Sequence, residues 1–259
     1  MAFSPACLVT AVASLATLTS PPQATLTTMI GPTAVLGRLL VPGHGVSISE
    51  TSKVWTGDDP NKPTSKFQVR GVLAFGIGKP VAGEVTRVSV GGKRFTFRVV
   101  GDVTYGSGGV WSEMLPAGKT WARSSSLRLK PYQLSEQSVD IFEPATLHRV
   151  LTTRRTATPG QIVHGVPTTR YSGVVTTKSL CAVSLACREA FGKSDVRISW
   201  WIWLNGRGQI ARLITKWVRP KDSIGGVLGG GAEANTYYSG WGSRVVVKIP
   251  PADQVAKVG

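Results

Sequence analysis

Acidic side chains are scarce in this chain of 259 residues: 14 Asp and Glu stand against 30 Lys and Arg, a formal net charge of +16. Such a balance argues against a surface built for cations. It favours anions, whether phosphates, acidic polymers or anionic lipid. The basic residues are dispersed, with no run of five, so an ordinary solvated basic surface accounts for them equally well. Histidine and cysteine number three each. His44, His148 and His164 stand far apart in no metal-ligand spacing. Cys181 and Cys187 are too few for a zinc site. No G-x-S-x-G elbow and no Walker loop occurs. These absences nominate no catalytic residue, no metal and no cofactor. No stretch approaches about 18 consecutive apolar residues, so no transmembrane helix is expected.

Hydrophobic residues make up 42% of the chain and charged ones 17%, enough for a substantial core and against wholesale disorder. The first charged side chain is Arg38. Before it, residues 6–18 (ACLVTAVASLATL) form an apolar run of signal-peptide length, followed by TSPPQA. This predicts a leader over residues 1–24, export of the remainder, and one domain over residues 25–259. Cys7 follows Ala6 as a lipid-modified cysteine follows a small residue, but the apolar run comes after it and Ser4-Pro5 suits lipoprotein processing poorly. Cys181 and Cys187 lie in KSLCAVSLACREAF, which reads as one helix. Six residues of helix rise about 9 Å, beyond the roughly 7 Å a disulfide spans. A bridge therefore requires a broken helix, and two buried thiols are the alternative.

From Lys66 onward, strand follows strand. FQVRGVLAFGI sets Phe67, Val69, Leu73, Phe75 and Ile77 against Gln68 and Arg70; KRFTFRVV sets Phe95, Phe97 and Val99 against Arg94, Thr96 and Arg98. Period-two alternation predicts half-buried antiparallel strands. DVTY, VWSEML and KTWAR read as further short strands. FEPATLHRVL changes to helical spacing, with Pro144 suited to a first turn. QIVHGV and TTRYSGVVT return to strands. Residues 178–191 read as a second helix, residues 223–234 as a Gly-rich loop, and ANTYYSGW and RVVVKI as strands. The reading is α+β: a long antiparallel sheet with a few helices on one side.

The stretch RISWWIWLNGRGQIARLITKW holds four of the chain's eight tryptophans. It reads as a hairpin turning at Asn205-Gly206. Gly206-x-Gly208-x-x-Ala211 superficially matches a dinucleotide fingerprint. That motif needs a strand leading into a helix, and strand-like alternation follows here. Tryptophans beside arginines are compatible with base stacking. However, Trp200, Trp201 and Trp203 project to both sheet faces, so no nucleic-acid partner is expected.

Several of these words, in order, resemble the LppX/LprG-type envelope lipoproteins of actinobacteria. VHGVPTTRYSGVV resembles the family's V-x-G-x-x-T-x-x-Y-x-G strand pair, and FEPATLHRVL the helix before it. WWIWLNGRGQIARLITKW resembles its W-I-D-x-x-G-x-x-x-R hairpin. YSGWGSRVVVKIPPADQV resembles its Y-S-x-x-G-x-x-V-x-V-x-x-P-P-A-D-x-V ending. The resemblance implies a fold like the lipoprotein carrier LolA: a curved antiparallel half-barrel closed on its concave side by helices, binding acyl chains between. Two positions depart: the lipobox is displaced or missing, and Trp203 stands where an acid often follows Trp-Ile.

The resemblance thus implies a non-catalytic envelope carrier or acceptor of a lipid, glycolipid or lipoprotein, monomeric and drawn to anionic membrane surfaces. The expected cavity lining is Leu73, Phe75, Phe95, Phe97, Val99, Trp200, Ile202, Leu204 and Trp217. Trp201 and Trp203 then face outward, though alternation alone allows the reverse. The loop around Gly225 to Gly231 is a candidate lid. The alternative reading is a cargo-free envelope sensor on the same fold, its hollow filled by its own side chains.

Overall fold

Alternation dominates the sequence, and strands dominate the fold. The computed structural model describes residues 31–57, 59–219 and 229–258. Twelve strands run in chain order: β1 (His44–Thr56), β2 (Ser65–Phe75), β3 (Pro80–Ser89), β4 (Arg94–Val100), β5 (Val103–Ser107), β6 (Trp121–Ser124), β7 (Arg154–Val163), β8 (Val166–Thr176), β9 (Arg197–Asn205), β10 (Ile210–Arg219), β11 (Gly230–Arg244) and β12 (Val255–Val258). They form one open sheet in the order β12-β6-β5-β4-β3-β2-β1-β11-β10-β9-β8-β7. Every pairing is antiparallel except β12 with β6. Among the described residues, five short α-helices accompany the sheet: α1 (Pro32–Leu39), α2 (Val110–Met114), α3 (Pro144–Thr152), α4 (Thr177–Cys181) and α5 (Leu185–Phe191). Among the described residues, no helix is long and apolar enough to cross a membrane.

One face of the sheet carries the core. Val46 and Ile48 of β1, Val69, Leu73 and Phe75 of β2, Val85, Val99, Ile198, Trp200, Ile202 and Leu213 pack there with Leu36 of α1, Leu147 and Val150 of α3, Leu180 of α4 and Phe191 of α5. The largest of these, Trp200, is 0% exposed. Its indole lies across Gly173, where any Cβ would come within 2.6 Å of the ring. Its Nε1–H donates to Thr153 Oγ1 at 3.0 Å, so burial leaves no orphan donor.

The opposite face is covered by the chain itself. Trp203 projects there yet is 6% exposed. The Arg212 guanidinium stacks 4.6 Å from the Trp203 ring and 4.8 Å from Tyr237. His164 lies flat on Tyr237 at 4.6 Å, carried by the β7–β8 turn, where His164 and Gly165 both have positive φ as a two-residue hairpin turn requires. After β11, residues 245–254 cross this face as a strap. Val245 approaches Gly45 so closely that a Cβ at Gly45 would overlap it. Arg98 Nη1 donates to Lys248 O at 2.7 Å, and Lys119 Nζ to Asp253 O at 2.7 Å. The strap ends in β12.

Several sequence expectations need correction. Strand β1 and helix α1 were not expected; β1 alternates small and polar groups, and α1 has only eight residues. Residues 110–114 form a helical turn instead of a strand. RVVVKI is mostly extended strap, because β11 ends at Arg244. The tryptophan hairpin turns over residues 205–209, with Gly208 at positive φ and the Asn205 side chain accepting from Arg207 N and Gln209 N. The predicted helix over residues 178–191 breaks between α4 and α5. The break brings the Cys181 and Cys187 Cα atoms to 4.8 Å, and the two residues form a disulfide. Ser184 restarts the helix by accepting from Cys187 N at 3.3 Å.

Closing so short a loop stabilises by about 2 kcal/mol through the unfolded chain. Replacing both cysteines with alanine, or reducing the bridge, should lower the melting temperature by roughly 4–8 °C for a domain of this size. Unchanged melting curves with and without reductant would refute that contribution.

Candidate functional site

Between β6 and α3 the chain crosses the helix-side face as a cover segment, residues 129–142. Its apolar members are seated in the core: Leu134, Val139 and Ile141 are each 1% exposed. Its middle is held differently. Glu50, on the core face of β1 and 2% exposed, accepts from Ser135 Oγ, from Glu136 N at 2.9 Å and from Thr236 Oγ1 at 2.6 Å. Gln137 donates to Leu213 O at 3.2 Å and Thr236 Oγ1 at 2.7 Å, and accepts from Thr215 Oγ1 at 2.7 Å. Arg87, also on the core face, pairs with Glu136 at 2.7 Å while lying over Phe67 and Phe97. The cover is therefore latched to the sheet by polar bonds, each worth about 1 kcal/mol net and more where a charge takes part.

Beside this latch lies a crevice of about 370 Å³, walled by the cover segment, α5 and the sheet. Val139, Ile141, Phe191, Trp217, Ala232 and Tyr238 supply its apolar lining. At the 3-10 turn Pro131–Leu134, Tyr132 reaches over and donates its hydroxyl to Glu189 of α5, linking two of these walls. Burial pushes the Tyr132 phenol well above its ordinary range, and the Glu189 carboxylate adds to it.

Two carboxyl groups at the cover are displaced in the same direction. Burial raises Glu50, more than its hydrogen bonds from Ser135 and Thr236 lower it. Burial pushes Asp140 up to about 7, with the Glu143 charge adding and the bond from Phe142 N opposing. Part of Asp140 still reaches solvent, but neighbouring atoms surround its carboxyl closely.

Of the nine residues expected to line a cavity, Trp217 borders this crevice and Leu204 borders a second groove near α1. Leu73, Phe75, Val99, Trp200 and Ile202 lie in the packed core at 2% exposure or less. Phe97 packs against that core and Phe95 is half-buried beside Gly109. All nine share the helix-side face. The proposed Gly-rich lid lies largely outside the described residues, and Gly230 and Gly231 belong to β11. Sequence reasoning missed Glu50, Arg87, Gln137 and Asp140. The one available signal was an acid at position 50, in step with Val46 and Ile48.

Among solved structures, the chain is similar to the Mycobacterium tuberculosis lipoprotein LppX at 15% identity and TM-score 0.45, over 84% of this chain and 94% of that one. It is similar to LprF from Mycobacterium bovis at 14% identity and TM-score 0.37, over 85% and 96%. No family model matches the chain, and a search of curated proteins finds no match. These lipoproteins are of the kind that the sequence words resemble.

Asp140 carries its proton more readily folded than unfolded. Its contribution to holding the cover is thus full below the unfolded value near 4 and lost as pH rises to about 7. Hydrogen exchange of residues 132–142, corrected for intrinsic rate, should show easier opening at pH 8 than at pH 5. D140N should flatten the part of that change that ends near neutrality. Q137A should loosen the same segment at every pH, by about 1–3 kcal/mol, with the central strands unaffected.

Proposed function

We propose that this protein is a non-catalytic carrier or acceptor of acylated molecules in the cell envelope, and that the latched crevice is where the acyl chain enters. The observation that carries the reading is the combination of an apolar crevice and a polar latch beside it. The volume, about 370 Å³, falls within the roughly 300–1,000 Å³ of ligand clefts. Ala232 and Tyr238, which both border the crevice, stand about 20 Å apart along β11 at ~3.3 Å per residue. A cleft of that reach suits a hydrocarbon chain better than a compact metabolite.

A lipid of some fifteen methylenes loses about 12 kcal/mol on exposure to water, at ~0.8 kcal/mol each. A carrier has to return most of this while still letting go. Opening an apolar seal would expose the same kind of surface. The hydrogen bonds of Glu50, Gln137, Thr215 and Thr236 exchange with water at a small net cost, so the cost of opening comes mainly from Leu134, Val139 and Ile141, whose place an incoming acyl chain can take. Lifting the cover would also bring core residues such as Trp200 and Ile202 within reach of a longer chain. Export is supported by the Cys181–Cys187 bridge, since disulfides persist in oxidising compartments, and by the apolar run at residues 6–18.

A second reading has its own support. The close packing of Leu73, Phe75, Val99, Trp200 and Ile202 suits a cargo-free envelope sensor on this architecture.

Native mass spectrometry and solvent extraction of the purified protein decide between the two. The carrier reading expects a substoichiometric or stoichiometric acylated ligand. It also expects A232F, which fills the crevice floor, to reduce uptake of a fluorescent fatty acid at least tenfold with the melting temperature retained. Absence of any acyl ligand, together with no uptake by the wild type, leaves the sensor.

A further inference from the structure

A second concavity, about 870 Å³, opens at the sheet end that carries α1, the β7–β8 turn and the β9–β10 turn. Its walls are largely apolar, with Val35 and Leu39 of α1 facing Pro167, Tyr171 and Leu204. Arg38 and Arg207 border it, both exposed, and no acidic residue lines it. Neither arginine has an ion-pair partner among the described residues, whose bridges all lie elsewhere. The adjoining turn leaves Ile162 73% and Val166 43% exposed. Large apolar groups without cover, rimmed by free guanidinium groups, are an unusual pairing on a soluble surface.

We infer that this groove docks the protein on an anionic phospholipid leaflet. Val35, Leu39 and Ile162 reach the acyl boundary, Ile162 sharing the face of its register partner Pro167, and Arg38 and Arg207 meet headgroup phosphates. Charge complementarity favours this occupant: a basic groove rim on a chain of net charge +16. The inference rests on the carrier reading only for its purpose, delivery of cargo to and from a membrane; the docking itself stands on the groove.

The test uses the full chain with phosphatidylcholine vesicles containing 30% phosphatidylglycerol, and with pure phosphatidylcholine as control. Binding should be stronger to the anionic vesicles and weaken with salt. R38Q/R207Q should bind them roughly 30-fold less well, at about fivefold per basic residue. I162N, which removes apolar area without adding charge, should weaken binding at low and high salt alike. K93Q/R94Q, which removes two exposed basic residues from the β3–β4 turn at the other end of the sheet, should change binding less than twofold. On vesicles, hydrogen exchange should slow in residues 31–39, 160–171 and 204–208. Equal losses for both double neutralisations would overturn the inference, leaving general charge as the cause. Slow exchange in the groove without vesicles would assign it to the chain's own leader, and protection rising with protein concentration to a second copy; either outcome overturns it. Fatty-acid uptake in vesicle-free buffer reports on the crevice separately. Docking without uptake sinks the carrier reading, and uptake without docking sinks this one.

Discussion

A twelve-stranded open sheet with large apolar groups on both faces has to be covered twice, and the rest of this structure follows from that requirement. The alternation of β9 and β10 sends Trp200 and Ile202 one way and Trp201 and Trp203 the other. Helices and the cover segment take the first set. The second has no helical layer. It is met by stacked arginines and by the folded-over tip of the β7–β8 hairpin, while the strap of residues 245–254 covers the same face over β1 and β4. The basic composition thus has a structural share. Arg212, Arg98 and Arg87 each lie over an aromatic ring, where a planar, weakly hydrated cation is well suited.

The two faces are sealed by different chemistry, and that difference separates function from scaffold. The strap side is fixed by backbone hydrogen bonds and strand pairing. The helix side is fixed by apolar packing at its edges and by a small polar cluster at its centre, where Glu50 and Gln137 hold residues 135–138. A buried carboxyl in such a place is weak evidence for stability in itself. Here it gives the cover a defined register and leaves it separable from the sheet.

Much of the frame was legible because period two is a strong signal. Strands β2, β4, β8, β9 and β10 announce themselves through Phe, Val, Ile and Trp at alternate positions. Where the pattern was carried by small or polar residues it failed. Strand β1, HGVSISETSKVWT, places Glu50 and Ser52 among its inward positions, so its alternation went unread although it is central to the sheet. The helix over residues 178–191 was legible in its apolar stripe but not in its break, because Ser184 capping and the disulfide act together only once the chain has folded. The latch was not legible. Its members come from positions 50, 87, 137, 215 and 236, and hydrogen-bond partners 186 residues apart leave no local trace.

That long separation has a consequence for how the molecule is made. Strand β1 pairs with β11 along twelve register positions, yet nearly two hundred residues lie between them. Meanders β2–β6 and β7–β10 consist of neighbours in sequence and are able to form as soon as they emerge. The central seam has to wait until the chain is almost complete, and the parallel docking of β12 on β6 waits longer still. Non-local closure of this kind is slow. During that interval two half-sheets present unpaired inner edges to their surroundings. A chain in this state depends on escorts, or on low crowding, to keep each half from finding the wrong companion.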